Sequence, residues 1–315
     1  MELIRGWHNL RSQHRGCVAT IGNFDGVHRG HQAVLARLRQ EAQARGLPST
    51  VIVFEPQPLE YFRPEAAPAR LTALRSKLQA LAAAGVDRVL CLRFGRQLAQ
   101  MPAENFINEL LVARLGVRFL MVGDDFRFGY GRHGDFALLQ TMGASQGFTT
   151  KHMPTVMEDE DRISSTRVRE ALSRGDLVAA EHLLGRKYSI CGRIVHGQAL
   201  GRNLGYPTAN IAFRQPPPPL QGIFVVQVRG LAEQPWPGVA SLGTRPTVNG
   251  ESTLLEVHLF DFSGDLYGRH LDVEFLQRLR GEERFDSLDA LRVQMDKDAT
   301  AARAFFSAAN RSAHG

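Results

Sequence analysis

The sequence predicts an α/β protein in two parts: an N-terminal parallel sheet covered by helices, and a C-terminal antiparallel β-barrel that ends in a helix. In the first part, short apolar runs alternate with amphipathic segments up to about residue 184, which is typical of a parallel sheet. Beyond residue 185, strand-like runs follow one another and are separated by glycines and prolines, which is typical of a small barrel. A chain of 315 residues with 43% hydrophobic residues can form two cores. We therefore expect one domain over residues 1–185 and a second over residues 186–315.

The elements of the first part are predicted from hydrophobic periodicity. Val18–Ile21 is a short apolar strand, and Gly30–Arg45 is an amphipathic helix with Ala33, Val34, Leu35 and Leu38 facing inward. Further strands are predicted at 51–54, 88–92, 119–122 and 149–153, and further helices at 71–84, 103–115, 135–145 and 177–184. Because ligands bind beyond the carboxyl ends of such strands, the segment after the first predicted strand is the place to look for a site.

The elements of the second part are strands punctuated by turns. The predicted strands are 188–195, 223–228, 239–242, 254–260 and 271–275. A helix is predicted over 287–308, because apolar residues recur there at helical spacing: Leu288, Leu291, Met295, Ala299 and Phe305.

Composition and charge narrow the classes of function. The net charge of +6 and the pI of about 9.6 suit a polyanionic substrate, whereas scattered arginines without an aromatic-interleaved basic tract argue against nucleic acid. The three cysteines are widely spaced and form no CxxC, so we expect neither a disulfide framework nor a zinc ribbon. The N-terminus lacks an apolar signal region, and no run approaches the roughly 18 apolar residues of a membrane helix. We expect a cytoplasmic protein that uses small-molecule substrates, with no nucleic acid or membrane partner; the oligomeric state is not predicted.

The segment GNFDGVHRGH, residues 22–31, falls at the first strand-to-helix turn. His28 and His31 could be two of the ligands of a metal, but no third ligand in a known zinc pattern accompanies them. They could also be ordinary residues of a polar turn. The third interpretation is a phosphate site, because helix N-terminal N–H groups attract anions, Gly22 and Gly26 permit close approach, and imidazoles can donate to phosphate oxygens.

Two more segments of the first part carry groups suited to phosphate. RISSTRVREAL, residues 162–172, offers hydroxyl donors and a helix cap in Ser164, Ser165 and Thr166, and guanidinium groups in Arg167 and Arg169. Alone, such a run is usually a plain helix cap. VGDDFRFGYGR, residues 122–132, follows the predicted strand at 119–122, and alone it reads as a turn with packed phenylalanines.

Two segments of the second part also stand out. GQALGRNLGYPTANI, residues 197–211, has a glycine-rich loop able to wrap a triphosphate, followed by Thr208 and Asn210, whose neutral oxygens suit Mg²⁺ and phosphate. In LLEVHLFDFSGDLYGR, residues 254–269, strand alternation puts Glu256 and His258 on one face. A glutamate on a strand is more often only part of the solvent-exposed face.

Together these segments resemble the prokaryotic bifunctional riboflavin kinase/FMN adenylyltransferase family, also called FAD synthetase. GNFDGVHRGH is similar to the HxGH signature of nucleotidylyltransferases, RISSTRVREAL to an ISSTxxR motif, and VGDDFRFGYGR to a G-x-D/N-F-x-F-G segment. GQALGRNLGYPTANI, the strand with Glu256 and SLGTRPTVNG (residues 241–250) are similar to riboflavin kinase segments. The likeness runs from about Gly16 to about Phe306. It implies a Rossmann-like nucleotidylyltransferase domain and a riboflavin kinase barrel, with ATP, riboflavin, FMN and FAD as substrates and products and with Mg²⁺ as cofactor.

The resemblance also implies roles for individual residues. Glu256 would accept the proton of the riboflavin hydroxyl, and His28 and His31 would stabilise the transition state of adenylyl transfer. Asp125 would hold the ATP ribose or the metal, Phe128 would lie beside flavin or adenine, and Thr208 and Asn210 would hold Mg²⁺. The remaining implied binding residues are Gly22, Asn23, Phe24, Asp25, Ser164, Ser165, Thr166, Arg167, Gly197, Gly201, Gly205 and Pro207. One departure is Gln57 in FEPQPLEYF, where the family pattern has histidine.

Two other kinds of protein remain open from the sequence. The chain could be a flavin- or nucleotide-binding sensor, or an RNA-binding regulator, with inactive sites. It could also be an enzyme with one activity whose other half only binds. The presence together of both histidines, the SST run, PTAN and Glu256 favours two working sites.

Overall fold

A computed structural model describes residues 1–123, 125–153, 157–158, 161–196, 205–213, 217–247 and 250–312. The chain divides into two compact units. The first contains residues 1–68 and 74–164, and the second contains residues 69–73 and 165–315. The two units are described in turn.

The first unit is built on a parallel sheet of six strands in the order β1-β4-β3-β2-β5-β6. The strands are β1 (Glu2–Arg5), β2 (Cys17–Ile21), β3 (Ser49–Glu55), β4 (Arg88–Arg93), β5 (Val117–Gly123) and β6 (Thr149–Met153). The alternation in the sequence predicted five of them, whereas β1 was missed because its four residues, ELIR, include only two apolar ones. A short hairpin, β7 (Met157–Glu158) and β8 (Asp161–Arg162), precedes the end of the unit.

Helices connect the strands and cover the sheet. They are α1 (Arg29–Ala44), α2 (Pro58–Phe62), α3 (Leu74–Ala83), α4 (Arg96–Ala99), α5 (Ala103–Asn105) and α6 (Phe136–Gln146). The predicted helix at 103–115 is confirmed; it is α-helical over α5 and continues as a π-helix, Phe106–Arg114. Apolar side chains pack on both faces of the sheet, so that the central strand β2 is buried along its whole length. This leaves the carboxyl ends of the strands as the edge where a ligand can bind.

The second unit is a closed barrel preceded by two helices and followed by a third. The helices α7 (Ser165–Ser173) and α8 (Leu177–Leu184) come first. The barrel order is β10-β13-β12-β11-β14-β9. Its strands are β9 (Ser189–Val195), β10 (Ala209–Ala212), β11 (Gly222–Arg229), β12 (Trp236–Thr247), β13 (Gly250–Leu259) and β14 (His270–Arg280), and α9 (Leu288–Ser312) ends the unit. The predicted barrel is confirmed, but β10 was missed because PTAN was interpreted as part of a loop.

The final helix α9 packs on the outer face of the barrel. Ala299 and Ala302 are buried against Val225 and Phe260. A two-pronged ion pair fixes the helix to β14, because Arg280 Nε lies 3.0 Å from Asp298 Oδ1 and Nη2 lies 2.8 Å from Oδ2. The carboxylate of Asp298 is nearly fully buried, so α9 is held at a fixed position on the barrel.

The division of the chain by contacts lies at 164/165, within the ISST run. The predicted functional boundary at 185/186 concerns activity and stays a prediction. All three cysteines are free thiols. Within the described part of the chain, no helix is both long enough and apolar enough to cross a membrane.

Candidate active sites

The turn between β2 and α1 has an unusual backbone. Phe24 and Val27 have φ values of 47° and 43°, and Gly26 between them has φ of 82°. Non-glycine residues adopt this region rarely, and such strain is found mainly at functional sites. Both side chains are buried in the core beside α1, which holds the strained turn in place. Successive N–H groups of such a turn can form a concave anion site, here at the first turn of α1.

His28 is the N-cap of α1, and its ring accepts a backbone hydrogen bond there. Its Nδ1 accepts the backbone N–H of His31 at 3.2 Å. The neutral ring therefore carries its proton on Nε2, where it can donate to an oxygen of a ligand. The imidazole of His31 stacks on that of His28, with ring centroids 3.7 Å apart and planes at 17°, and it contacts the ring of Phe24 at 4.9 Å. The local geometry thus holds both imidazoles side by side.

The environment of the His31 imidazole lowers its pKa. Burial lowers its pKa well below 6.5, and the charges of His28, Lys77 and Arg162 lower it further. Its Nδ1 is buried and has no hydrogen-bond partner among the described residues. A polyphosphate placed beside these positive groups would raise the pKa again, because the negative charge favours the imidazolium form.

Gly30 is the third residue of HxGH, and the close packing around it explains why a glycine occupies this position. A Cβ at this position would lie 3.1 Å from the His28 ring and 3.1 Å from the carbonyl oxygen of Ile163. Alanine is the better helix former, so the glycine is present because the ring and the carbonyl approach the backbone closely. Gly22 is similarly close to Phe24, with a Cβ position 3.1 Å from that ring.

The other predicted residues of the first unit lie in different surroundings. Asp25 is buried in the turn. Asn23 is exposed just before the strained residues. Asp125 is exposed, with its carboxylate 3.7 Å from the guanidinium of Arg162. The ring of Phe128 is 8% exposed and stacks on Phe126 at 5.4 Å. Its proposed contact with flavin or adenine stays a prediction.

The ISST run crosses the division between the two units. Ser164 is the last residue of the first unit, and α7 begins at Ser165. Thr166 is exposed on the first turn of α7, and Arg167 follows it. Arg169 donates from Nε to the carbonyl oxygen of Ala69 at 2.6 Å within the second unit. The phosphate-binding roles of these residues stay predictions.

An aromatic cluster at the carboxyl ends of β3 and β4 was missed in the sequence. Tyr61, Phe62 and Phe94 contact one another with ring centroids 5.4–5.6 Å apart, and Phe54 contacts Phe94 at 5.7 Å. The ring of Phe62 is 58% exposed. The signal was present in FEPQPLEYF, but Phe94 comes from the next strand and only the fold brings it there.

Gln57 lies next to this cluster in the chain, at the N-cap of α2. Its backbone N–H donates to Glu60 Oε2 at 2.8 Å, which caps the helix. The side chain is buried, and its Nε2 has no hydrogen-bond partner in the described part of the chain. A buried amide donor in this state is poised for an acceptor on a ligand.

In the barrel, three strands bring polar residues into one row. Glu256 of β13 lies opposite Asn210 of β10 on one side and opposite Ser241 of β12 on the other. Side chains directly opposite in antiparallel strands have Cβ atoms about 4.5–5.5 Å apart, so the three are neighbours. Asn210 is 5% exposed, and its Oδ1 has no hydrogen-bond partner within the described ranges. The predicted alternation of Glu256 and His258 against Leu255, Val257 and Leu259 is confirmed by burial.

Two cavities adjoin this row. One of about 460 Å³ is lined by Ser241 and Ile223 together with Arg280, residues 282–283, residues 285–288 and Leu291 of α9. The other, of about 310 Å³, is lined by Pro207, Thr208 and Ala209 together with the loop 264–267. Gly205 lies two residues before PTAN and has a φ of 87°. The carbonyl oxygen of Pro207 is 3.0 Å from His258 Nδ1. Gly197 and Gly201 lie outside the described residues.

The fold and the two sites define a transferase with two nucleotide-dependent centres, one on a parallel α/β sheet and one on a β-barrel. Family models agree in both halves: FAD synthetase matches residues 10–167, and riboflavin kinase matches residues 184–306. The chain is 55% identical to the bifunctional riboflavin kinase/FMN adenylyltransferase of Escherichia coli (strain K12), over 97% of this chain and 98% of that protein. The enzyme of the same name from Pseudomonas fluorescens is also 55% identical, over 96% of this chain and 97% of its own length. The chain belongs to the bifunctional riboflavin kinase/FMN adenylyltransferase family.

A solved structure shares the fold. The protein described as a macrolide-efflux protein from Streptococcus pneumoniae is 29% identical, with a TM-score of 0.78 over 96% of this chain and 99% of that one. The activities of the present chain follow from its family. It phosphorylates riboflavin to FMN with ATP, and it adenylylates FMN with ATP to form FAD and pyrophosphate.

Proposed function

We propose that riboflavin phosphorylation takes place at the row Asn210–Glu256–Ser241 of the barrel. The observation that carries the proposal is the position of this row between two cavities. At one end of the row, Ser241 lines the 460 Å³ cavity. At the other end, Asn210 comes two residues after Thr208, which lines the 310 Å³ cavity. Riboflavin occupies the larger cavity and the nucleoside of ATP occupies the smaller one, beside the exposed ring of Tyr267. The acceptor hydroxyl and the phosphates then meet near Glu256.

The chemistry at this row needs one base and one cation. Glu256 takes the proton of the riboflavin 5′-hydroxyl, the hydroxyl oxygen bonds to the γ-phosphorus, and the bond to the bridging oxygen of ADP breaks. The buried Oδ1 of Asn210 and the hydroxyl of Thr208 are the oxygens that fit Mg²⁺. Mg²⁺, when bound, neutralises phosphate charge. The Oδ1 of Asn210 is buried without a partner in the described part of the barrel, and this supports the fit, because such atoms are costly unless a ligand satisfies them.

FAD formation takes place at the HxGH turn of the first unit. A phosphate oxygen of FMN bonds to the α-phosphorus of ATP, and pyrophosphate leaves. His28 donates from Nε2, and His31 and the strained turn add hydrogen-bond donors as charge develops on the phosphate oxygens. Ser164, Thr166 and Arg167 bind the β- and γ-phosphates, and Asp125 and Phe128 contact the nucleoside. The cluster of Tyr61, Phe62 and Phe94 offers the isoalloxazine ring an aromatic surface.

Single substitutions with separate readouts test the assignment of the two sites. In a reaction with riboflavin, ATP and Mg²⁺, chromatography should show FMN rising first and then yielding to FAD. His31→Ala should reduce FAD formation about 10²–10³-fold and leave FMN formation unchanged. Glu256→Ala should abolish FMN formation and leave FAD formation from supplied FMN unchanged. His8→Ala, an exposed histidine of the first unit, is the control.

Two outcomes would contradict the assignment. If either variant remained folded but lost both activities, the two reactions would not be separated between these sites. If riboflavin bound tightly to the wild-type protein and no product formed, a binding role would replace catalysis.

A further inference from the structure

A histidine side chain joins the segment before β10 to the neighbouring strand. The ladder of β10 with β13 begins at the pair Ala209–Val257, and its ladder with β9 begins at Asn210. Proline has no N–H, so at Pro207 only the carbonyl oxygen of the backbone can form a hydrogen bond. That oxygen lies 3.0 Å from Nδ1 of His258. The imidazole therefore connects the segment to β13 at a point that the ladder does not reach.

The direction of this hydrogen bond defines the state of the His258 ring. A carbonyl oxygen only accepts, so Nδ1 carries the proton and donates it. The ring is half-buried and contacts Tyr206 and Phe260, with centroids 5.0 Å and 5.8 Å apart, and these contacts limit its rotation. Tyr206 in turn donates its hydroxyl to the carboxylate of Asp296 on α9. The donor is thus held in one orientation towards Pro207.

The amide of Asn210 depends on the same segment. Its Nδ2 lies 3.4 Å from the carbonyl oxygen of Thr208, and its Oδ1 is buried without a hydrogen-bond partner among the described residues. The position of the Thr208 carbonyl therefore helps to decide where Oδ1 points. Because Thr208 follows Pro207 directly, the hydrogen bond from His258 acts on both residues proposed to hold Mg²⁺.

His258 also belongs to the strand that carries the proposed base. Glu256 lies opposite Asn210 in the ladder. Continued by two residues, the same register puts Thr208 opposite His258. The two cross-strand pairs are on the same face of the sheet, because residues two apart on a strand point the same way. A shift of the segment along β13, or away from it, would therefore move both proposed cation ligands relative to the base.

We propose that His258 is a positioning residue for riboflavin phosphorylation: its Nδ1 hydrogen bond to Pro207 holds the proposed Mg²⁺ ligands, Thr208 and Asn210, at a fixed distance from Glu256. The inference rests on the function proposed above for the barrel. It adds that this imidazole acts through the backbone and not on the substrate. Such positioning matters because a misplacement of about 1 Å can cost about 10²-fold in rate.

The test uses variants of the full chain that separate the donor from the ring. His258→Phe keeps an aromatic ring and removes the donor, whereas His258→Asn keeps an amide N–H near the position of Nδ1 and removes the ring. His258→Ala is a second donor-free variant, in case phenylalanine disturbs folding. His270→Ala, an exposed histidine of β14, is the control.

Two kinds of measurement are made on these variants. Kinetics give the kcat of FMN formation, the KM for riboflavin and the Mg²⁺ concentration at half-maximal rate, while FAD formation from supplied FMN and urea unfolding report on the rest of the chain. In the wild-type protein without Mg²⁺, the ¹⁵N NMR signals of the His258 ring, assigned by their loss in His258→Phe, show which nitrogen carries the proton.

We expect the NMR signals to show a proton on Nδ1. His258→Phe should lower the kcat of FMN formation roughly 10- to 100-fold and raise the Mg²⁺ concentration at half-maximal rate. The KM for riboflavin should not change, because His258 is not in the wall of the larger cavity. His258→Asn should restore most of the kcat and of the Mg²⁺ dependence. His270→Ala should change neither, and FAD formation should be unchanged throughout.

Three results would overturn the proposal. One is a neutral His258 ring with its proton on Nε2, and another is wild-type kcat and Mg²⁺ dependence in a folded donor-free variant. The third is an equal loss in the Phe and Asn variants, since that would show a role of the ring itself. If Glu256→Ala retained FMN formation, the proposed function of the barrel site, and not the positioning by His258, would be the part that fails.

Discussion

His28 shows how one side chain in the HxGH turn does two jobs. Its Nδ1 satisfies a backbone N–H that the first turn of α1 would otherwise leave unpaired, and this fixes the proton on Nε2. Gly30 then lets the ring lie close to the helix backbone. The motif spacing is therefore a consequence of helix geometry as well as of chemistry.

The two jobs of His28 can be separated by substitution. His28→Ala should lower the free energy of unfolding by about 1 kcal/mol, because the cap is lost. His28→Asn should restore this stability, because asparagine is a good N-cap. Neither variant supplies the Nε2 donor, so both should lose FAD formation while FMN formation continues. The measurements are urea unfolding and product chromatography. A fully active His28→Asn would show that His28 is only a cap.

A functional residue can be predicted from the sequence when the residues that act with it lie close to it along the chain. His28, His31 and Glu256 stand in short motifs whose residue types already suggest phosphate chemistry. Phe94 gained significance only in the fold, because it joins Tyr61 through the pairing of β3 and β4.

At the scale of elements, the short strand β10 buries one amide side chain, that of Asn210, and this burial lowers the stability of the barrel. The Oδ1 of Asn210 is buried and has no hydrogen-bond partner among the residues that the structure describes. Asn210→Leu should therefore raise the free energy of unfolding by about 1 kcal/mol, as expected when a buried unsatisfied group is replaced by an apolar one. It should abolish FMN formation, because the oxygen ligand is lost.

The matched variant Asn210→Asp keeps an oxygen at this position and should retain part of the kinase activity. Thermal unfolding without ligands and a Mg²⁺ titration of FMN formation would measure both effects. An active Asn210→Leu variant would remove Asn210 from the proposed cation site.

The helix α9 is joined to the barrel by two ion pairs that differ in burial. Arg280–Asp298 is nearly buried, whereas Arg303–Asp261 is exposed, with N–O distances of 2.8–2.9 Å. Asp298→Ala removes the two-pronged partner of an enclosed guanidinium, which keeps only a 3.9 Å ion pair with the exposed Glu283, and should cost about 3 kcal/mol of unfolding free energy. It should also raise the KM for riboflavin, because α9 contributes Leu288 and Leu291 to the larger cavity.

Asp261→Ala is the comparison, because exposed ion pairs contribute little. We expect nearly unchanged stability and an unchanged KM for riboflavin. Denaturant unfolding and steady-state kinetics measure both variants, and equal effects would mean that burial does not set the strength of the attachment.

The element pattern was largely readable from the sequence because periodicity is a local property. Five of six strands of the sheet and the barrel class followed from it. β10 was missed because four residues in PTANIA show no alternation by themselves and are a strand only through pairing with β9 and β13. The π-helix Phe106–Arg114 could likewise not be told from an α-helix, because the hydrophobic periodicity there also suits an α-helix.

At the scale of the whole molecule, contacts divide the chain into two compact units, and the division falls within the ISST run. The residues proposed for each reaction divide the chain at a different place. The second unit makes FMN and the first consumes it, so the order of reactions is the reverse of the order along the chain. Ser165, Thr166 and Arg167 belong by contacts to the unit that contains the barrel, yet their proposed role is in FAD formation. The proposed role therefore assigns the first turn of α7 to FAD formation, although the contacts assign this helix to the unit with the barrel.

Cutting the chain at two places distinguishes these divisions. A fragment of residues 1–185 should form FAD from supplied FMN, because it keeps both the HxGH turn and the ISST run. A fragment of residues 1–164 should not, because it lacks the proposed ligands of the β- and γ-phosphates. A fragment of residues 186–315 contains all six barrel strands and α9 and should form FMN. Circular dichroism and product chromatography would measure folding and activity. If 165–315 were active and 186–315 were folded but inactive, α7 and α8 would belong to the kinase and the functional boundary would move to 164/165.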